Sequence, residues 1–360
     1  MDRIRFGLIG IGMAGRYFGQ ALQNLPDADL VAVASRPGRG QALAEFAKTY
    51  GVSDWHEHWQ ELVNRDDIDA ICVVTPPQQH EEMVIASAQA GKHVMTEKPL
   101  AVNLLEADRM IAACDESNVK LGCIFMYRFM DTARRLKEAI ALGRLGQLYL
   151  ADCVAKFYRD QAYYDSADWR GSWEGEGGGS LMSQAIHTID LMLWMMGDVV
   201  ELSGYYRTAA HAIAVDDLAV ANLRFKNGAL GTIISATATK PGYPRRLEIH
   251  GERGSIGLLD DDVHLWDIEG QERPDWVGTG KKDLGNTFSQ PGYADIGNHQ
   301  EQLADFIASI RQDRPPLVDG REGRRALEVI RAIYQSQDTG KSVAFPVDDK
   351  TTFGKKTNLV

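Results

Sequence analysis

In the first third of the chain the apolar residues fall in short unbroken runs. These are "IRFGLIG" (4–10), "DLVAVAS" (29–35), "DAICVVT" (69–75), "KHVMTEKP" (92–99) and "KLGCIFM" (120–126). A run of this length with little alternation marks a strand buried on both faces, as in a parallel sheet covered by helices. Helical patterns separate the runs, at about 13–25, 40–50, 57–64, 80–91 and 103–118. Gly91 suits the end of one and Asn103 the start of the next. This alternation of strand and helix predicts a parallel, doubly wound sheet with right-handed crossovers.

Beyond residue 124 the pattern changes. A linking helix ending near Gly143 leads into longer stretches with partial alternation, at 148–158, 199–208, 217–228, 229–239 and 245–259. Turn signals such as Lys226-Asn227-Gly228 separate some of them, which predicts a meander of antiparallel strands. A strongly apolar helix at 180–197 interrupts it, introduced by Gly177-Gly178-Gly179, and two helices near 297–313 and 320–338 follow. The expected fold is an α/β domain with a doubly wound parallel sheet at 1–124. An α+β domain with an open, mainly antiparallel sheet follows at 125–346, then a polar, frayed tail at 347–360.

Composition narrows the function classes. The 360 residues are 44% hydrophobic and 25% charged, ordinary for a globular protein. A net charge of −11 disfavours nucleic acid, which needs a basic face. No apolar run is long enough to span a membrane, and Met1 leads straight into a strand rather than a secretory leader, so a cytoplasmic protein is expected. Cys72, Cys114, Cys123 and Cys153 show no C-x-x-C spacing and read as reduced core residues. His56 and His58 form an H-x-H without a third ligand nearby in sequence, so no metal site is expected.

Two places carry candidate chemistry. Gly10-Ile11-Gly12-Met13-Ala14-Gly15 is a G-x-G-x-x-G set between a strand and a helix. In that context Gly10 makes the tight turn, Gly12 lets backbone approach a pyrophosphate, and Gly15 lets helix and strand pack closely. The second strand ends in Ser35-Arg36, with Arg39 beyond. No carboxylate stands there to repel a 2′-phosphate, and guanidinium groups are present to bind one, which favours NADP over NAD. In the apolar helix, His187 and Asp190 stand three residues apart on one face, behind three glycines that let a ligand or another backbone come close.

The ordered motifs Gly10–Gly15, Thr75-Pro76-Pro77-x-x-His80, Glu97-Lys98-Pro99, Tyr127-Arg128-Phe129, Trp169-Arg170, Gly177-Gly178-Gly179 and His187-x-x-Asp190 resemble those of one family. It is the glucose-fructose oxidoreductase / inositol dehydrogenase / rhizopine-catabolism family of NAD(P)-dependent oxidoreductases, and the resemblance runs from Ile4 to about Pro346. It implies hydride transfer between a nicotinamide cofactor and a sugar, polyol or sugar derivative. Lys98 would hold the substrate oxygen, a lysine whose pKa burial and a nearby cationic ring should lower. His187 would be the general base. The Lys98–Pro99 bond is often cis in the family.

Cofactor contacts would come from the glycine loop with Met13 and Ala14, and from Ser35, Arg36, Thr75, Pro76, His80, Glu97, Lys98, Arg128, Trp169 and Arg170. Substrate contacts would come from Ser183, Asp190 and Tyr243, with Tyr163, Arg170 and Arg245 as weaker candidates. Where many members carry an aspartate four residues before the histidine, this chain has Ser183. That leaves open a different substrate, or more of the proton work falling to Asp190 and Lys98. Members of the family pair through the outer face of the second sheet, implying a homodimer or homotetramer. A dinucleotide-binding sensor or scaffold without turnover is the alternative.

Overall fold

The computed structural model describes residues 3–278 and 296–347. The expected polar tail from 348 onward therefore lies outside the described residues. The chain divides into two compact units, one of 1–126 with 294–324, the other of 127–293 with 325–360.

The first unit is a six-stranded sheet. Its strands are β1 (Ile4–Ile9), β2 (Ala28–Ala34), β3 (Asp54–His56), β4 (Ala70–Val73), β5 (His93–Thr96) and β6 (Leu121–Cys123). They lie in the order β3-β2-β1-β4-β5-β6, all parallel. The order reverses between β1 and β4, which is where a doubly wound sheet opens a crevice at the strands' carboxyl ends. The crossovers are α1 (Met13–Asn24), α2 (Gly40–Tyr50), α3 (Gln60–Val63), α4 (His80–Gln89) and α5 (Leu104–Glu116).

Two features of this unit depart from expectation. The pattern "EHWQELVN" predicts a helix from residue 57, whereas β3 precedes it and α3 starts only at Gln60. Three residues, one of them exposed, are too short to leave a period in the sequence. Also, α10 (Ile296–Arg311) belongs to this unit and not to the second. Its Leu303, Phe306 and Ile307 join Phe18 and Leu22 of α1 in one buried cluster over β1 and β2. A single cut at 124/125 therefore does not describe the chain, because a helix distant in sequence supplies part of the first core.

The second unit is built on an eight-stranded sheet. Its strands are β7 (Leu148–Lys156), β8 (Val199–Arg207), β9 (Leu218–Phe225), β10 (Leu230–Ala236), β11 (Arg246–Gly251), β12 (Gly254–Leu259), β13 (Asp262–Ile268) and β14 (Val343–Ala344). Their order is β13-β12-β11-β7-β10-β9-β8-β14, antiparallel except for β7 with β10. The sequence pattern does not show β13 or the two-residue β14. Helices α6 (Asp131–Ala141), α7 (Gln161–Asp165), α8 (Trp173–Glu176) and α9 (Ile186–Met196) complete the unit with the greater part of α11 (Gly320–Thr339). α9 lies against β7 and β11. Here Ala151, Cys153 and Ala155 turn inward while Leu150, Asp152 and Val154 take the other face. All four cysteines are buried thiols outside any disulfide.

His80 sits between two loops of the first unit. It is fully buried. Its Nε2 stands 2.9 Å from the carbonyl of Thr75, and its Nδ1 3.1 and 3.2 Å from those of Pro99 and Leu100. Burial holds this imidazole below its ordinary value, although the three carbonyls pull the other way. The unfolded chain thus takes up a proton near pH ~6.5 that the folded chain resists. The stability contributed is present above that pH and lost as the pH falls. The urea midpoint is therefore expected to drop between pH 7 and pH 5, and to drop less steeply in His80→Gln. Equal slopes in the two proteins would show that His80 does not contribute.

Candidate active site

The loop between β1 and α1 is shaped by what its glycines lack. Gly10 has φ +111, and a Cβ there would meet the Val74 carbonyl at 2.6 Å. A Cβ on Gly15 would meet the Gly10 carbonyl at 2.2 Å. Both therefore serve close packing. Gly12 differs, since a Cβ there would meet nothing within 4 Å. α1 begins directly after it at Met13, with no side chain capping its first turn. Open space beside Gly12 together with uncapped N–H groups at Met13 and Ala14 is a cradle for an anion. A dinucleotide's pyrophosphate fits it.

At the end of β2, Ser35 donates its N–H to the carbonyl of His56 at 3.1 Å. Arg36 and Arg39 are exposed. One carboxylate stands near this loop. Glu57 Oε1 lies 3.4 Å from where a Gly40 Cβ would be, brought there by β3. The sequence did not reveal it because β3, which ends just before Glu57, was not legible.

Thr75 and Pro76 follow β4, and Glu97 and Lys98 follow β5. Each pair stands at the carboxyl end of a strand on the same side of the sheet as Gly10. Thr75 Oγ1 faces Met83 Sδ at 3.5 Å. The Lys98–Pro99 bond is cis. Lys98 is half-buried, and its N–H donates to Glu97 Oε2 at 3.0 Å. The carboxylate of Glu97 adds to burial in raising the pKa of Tyr17 on α1. His80, expected to face the cofactor, does not. Both its ring nitrogens face carbonyls, Nε2 that of Thr75 and Nδ1 those of Pro99 and Leu100, so its ring fills the space between the Thr75 and Lys98 loops.

In the second unit His187 sits one residue into α9, only 8% exposed, with its ring 4.9 Å from that of Tyr127. The Arg245 guanidinium lies 3.8 Å over the other ring of this pair, Tyr127. It also pairs with Asp261 and stands 3.7 Å from Asp260. The Asp260 carboxyl is pushed up to about 6 by burial, against the pull of Arg245. Ser183 turns its hydroxyl to the Gly179 carbonyl at 2.9 Å, four residues back and just ahead of its helix. It lies in a π-helical turn, Leu181–Ala185, just before α9. Such turns are common at functional sites.

Two expected roles are corrected here. Arg128 and Asp190 are each 1% exposed and grip one another at two points, Nε to Oδ2 at 2.8 Å and a terminal nitrogen to Oδ1 at 2.6 Å. A bidentate pair this deeply buried fixes α9 to the turn carrying Tyr127. It leaves neither Asp190 presented to a substrate nor Arg128 to a cofactor. The sequence put His187 and Asp190 on one helix face but carried no sign of the arginine that claims the aspartate.

Tyr163 is wedged between cations, with Arg170 at 4.3 Å and Arg159 at 5.4 Å from its ring. Arg170 also lies 4.6 Å over Trp169. Gln184, not foreseen, joins this group to the helix of His187. It accepts from Arg159 at 2.9 Å and donates to the Tyr163 hydroxyl at 3.4 Å. Its position beside Ser183 was the only signal. Tyr243 is 51% exposed on the loop between β10 and β11, its N–H on the Lys156 carbonyl at 2.8 Å. Among the described residues one group has metal-ligand geometry: Asp152, Glu248 and His250, with ligand atoms within 4.8 Å. Thr232 donates to Asp152 at 2.6 Å, the Ser255 hydroxyl stands 2.8 Å from His250 Nδ1, and His264 and Arg246 stand 3.2 and 3.4 Å from Glu248. His56, of the H-x-H, pairs with Glu61 at 2.8 Å.

Known proteins match over nearly the whole chain. The sequence model of an oxidoreductase family with an NAD-binding Rossmann fold matches residues 4–125. The model of the corresponding GFO/IDH/MocA C-terminal domain matches residues 133–257. The myo-inositol 2-dehydrogenase of Thermotoga maritima is 31% identical over 352 residues, covering 94% of this chain and 98% of that one. The levoglucosan dehydrogenase of Pseudarthrobacter phenanthrenivorans is 28% identical over 295 residues, covering 71% and 73%. The crystal structure of the WlbA dehydrogenase of Bordetella pertussis, in complex with NADH and UDP-GlcNAcA, superimposes with a TM-score of 0.84 at 32% identity, covering 96% of this chain and all of that one. The glycine cradle, the lysine after β5 and the histidine of α9 thus stand in a chain that belongs to the Gfo/Idh/MocA family of NAD-binding oxidoreductases.

Proposed function

We propose that this oxidoreductase acts on a hydroxyl-bearing carbon of a sugar, polyol or sugar derivative, or on the matching ketone, with Lys98 and His187 as its chemical groups. The observation that carries the proposal is the placing of Gly10, Thr75 and Lys98. Gly10 and Thr75 follow β1 and β4, between which the strand order reverses, and Lys98 follows the neighbouring β5. Myo-inositol and levoglucosan dehydrogenases among the relatives support the substrate class. The domain division proposed is a dinucleotide-binding domain of 1–124 joined by α10, and a substrate domain over the rest of the chain to 346.

Bound nicotinamide supplies the hydride acceptor or donor. The chain's own part is to hold and to move a proton. The Lys98 ammonium donates to the substrate oxygen and steadies it as it gains negative charge. His187 takes the hydroxyl proton in oxidation and returns it in reduction. Ser183, Tyr163 and Tyr243 are the proposed substrate contacts, and Trp169 and Arg170 the proposed contacts to the cofactor. Lys98→Met is expected to lower kcat about 10²–10³-fold, the scale of one electrostatic donor in a closed site. His187→Ala should lose about 10²–10⁴-fold, partly restored at high pH where hydroxide replaces the base. Dinucleotide binding by fluorescence should stay within a few-fold in both. Near-normal turnover in Lys98→Met would leave a dinucleotide-binding sensor as the better reading.

The choice of dinucleotide rests on the loop after β2. The WlbA relative holds NADH. In this chain Arg36 and Arg39 are exposed where a 2′-phosphate would lie, which supports NADP. The KM for NADP should fall well below that for NAD. Arg36→Ala should narrow the gap about 10–100-fold, matching the ~1.5–3 kcal/mol of a charged hydrogen bond. Equal KM values in the unaltered protein, or a preference for NAD, would remove the argument.

For assembly we propose a two-fold dimer, or a dimer of such dimers, through the outer face of the second sheet. Tyr205, Val220, Ile234 and Val154 are directly paired across β8, β9, β10 and β7. They form an apolar row in which Tyr205 and Val220 are exposed. Light scattering at micromolar concentration should give a dimer or tetramer, and Val220→Arg should shift it toward monomer. A monomeric unaltered protein would contradict the proposal.

A further inference from the structure

We infer that Asp216 is a positioning residue for His187, acting through the first turn of the helical segment that carries it; this rests on His187 being the proton acceptor proposed above. Asp216 lies just before β9 and is fully buried. Its Oδ1 accepts from the Gly179 N–H at 2.8 Å and from the Tyr334 hydroxyl at 2.6 Å. Its Oδ2 accepts from the Ser180 hydroxyl at 2.7 Å and the Leu181 N–H at 3.0 Å. Its main-chain carbonyl accepts the Ser180 N–H at 2.8 Å. One residue thus takes the N–H groups of three consecutive residues at a helix start, where such groups otherwise lack partners. Its negative charge also suits that end of a helix.

The glycines before the helix exist for this contact. A Cβ on Gly179 would lie 1.8 Å from the Asp216 carbonyl oxygen, and one on Gly178 2.1 Å from the Tyr334 hydroxyl. Of the two reasons for glycines here, a close ligand or a close backbone, the structure shows the second. Burial and the Asp216 charge push the Tyr334 hydroxyl well above its ordinary value, so it stays a donor at working pH. Ser235 on β10 donates to the Ser180 hydroxyl at 2.9 Å, which ties the turn to the sheet as well.

From this anchor the chain passes through the π-turn Leu181–Ala185 to His187. A helix is stiff, so the place at which its first turn is pinned sets where the imidazole lies. Misplacing a reacting group by about 1 Å can cost on the order of 10²-fold in rate. No sequence motif marks Asp216. It stands in an ordinary "VDD" (215–217) ahead of a strand, with Asp217 turned instead to His211 at 2.9 Å and to the backbone of Ala209 and Ala210.

The test compares Asp216→Asn, Tyr334→Phe and His187→Ala, singly and with each of the first two combined with the third. Asp216→Asn keeps the shape but turns an N–H donor toward Leu181 or Gly179, where an acceptor is needed. It should lower kcat about 10–100-fold with dinucleotide affinity within a few-fold. Tyr334→Phe removes one hydrogen bond, keeps the ring, and should lower kcat about 3–10-fold, in keeping with ~1 kcal/mol for one such bond. Neither should add to the loss of His187→Ala. In the dinucleotide-free protein the His187 imidazole resonance, assigned by its disappearance in His187→Ala, should shift in Tyr334→Phe. Full kcat and an unmoved resonance in a folded Tyr334→Phe would overturn the inference while leaving His187 as the base. Losses that add fully to that of His187→Ala would also overturn it, since Asp216 would then act elsewhere. Near-normal turnover in His187→Ala would instead bring down the base assignment, and the inference with it.

Discussion

Backbone atoms come closer than a Cβ permits at the start of two helices, and the functional groups of both units depend on those approaches. At α1 the Gly15 position lies against the carbonyl of Gly10; ahead of α9 the Gly179 position lies against the carbonyl of Asp216. A Cβ at either place would force a shift of backbone rather than of a flexible side chain. In the first unit the tight turn leaves N–H groups at a helix end uncapped beside open space, which suits an anionic ligand. In the second the approach is filled internally, by a carboxylate that serves the helix itself. Similar glycine-rich entries thus do different work, one keeping N–H groups available and the other consuming them.

Around the second helix start, charge is spent on placement. Arg128 and Asp190 bury two full charges against each other at 1% exposure, a poor source of net stability but costly to break. Gln184 ties the π-turn to Arg159 and Tyr163, and Tyr127 stands against the His187 ring under the Arg245 guanidinium. His187 is thereby approached by Tyr127, whose other neighbour is the Arg245 guanidinium. In the first unit the buried His80 ring lies between the loop after β4 and the loop that holds Lys98.

Much of this was legible in the sequence, because parallel buried strands, strand-to-helix glycine turns and an apolar helix each leave a local signature. β1, β2, β4, β5 and β6 appear as apolar runs, and β7 to β12 as alternation with turn signals. Apart from the seven residues of β13, what escaped had no local period. β3 and β14 span three and two residues, and α10 shows as a helix without showing which core it joins. Site residues followed the same rule. Positions fixed by a local motif, such as Gly10 or Lys98, could be named, whereas the roles of Asp190, His80 and Asp216 depend on partners 62, 20 and 37 residues away. The carboxylate Glu57 beside the Arg36 loop was hidden with the strand that positions it.

The central claim is that this fold performs hydride transfer and does not merely bind a dinucleotide. The most direct measurement is the absorbance of reduced nicotinamide as the protein is mixed with NADP or NAD and a panel of sugars, polyols and sugar acids. The account predicts that reduced cofactor accumulates with at least one member of the panel, at a rate proportional to protein concentration. Saturable dinucleotide binding with no reduction across the panel, and no oxidation of the reduced cofactor by the matching ketones, would contradict it.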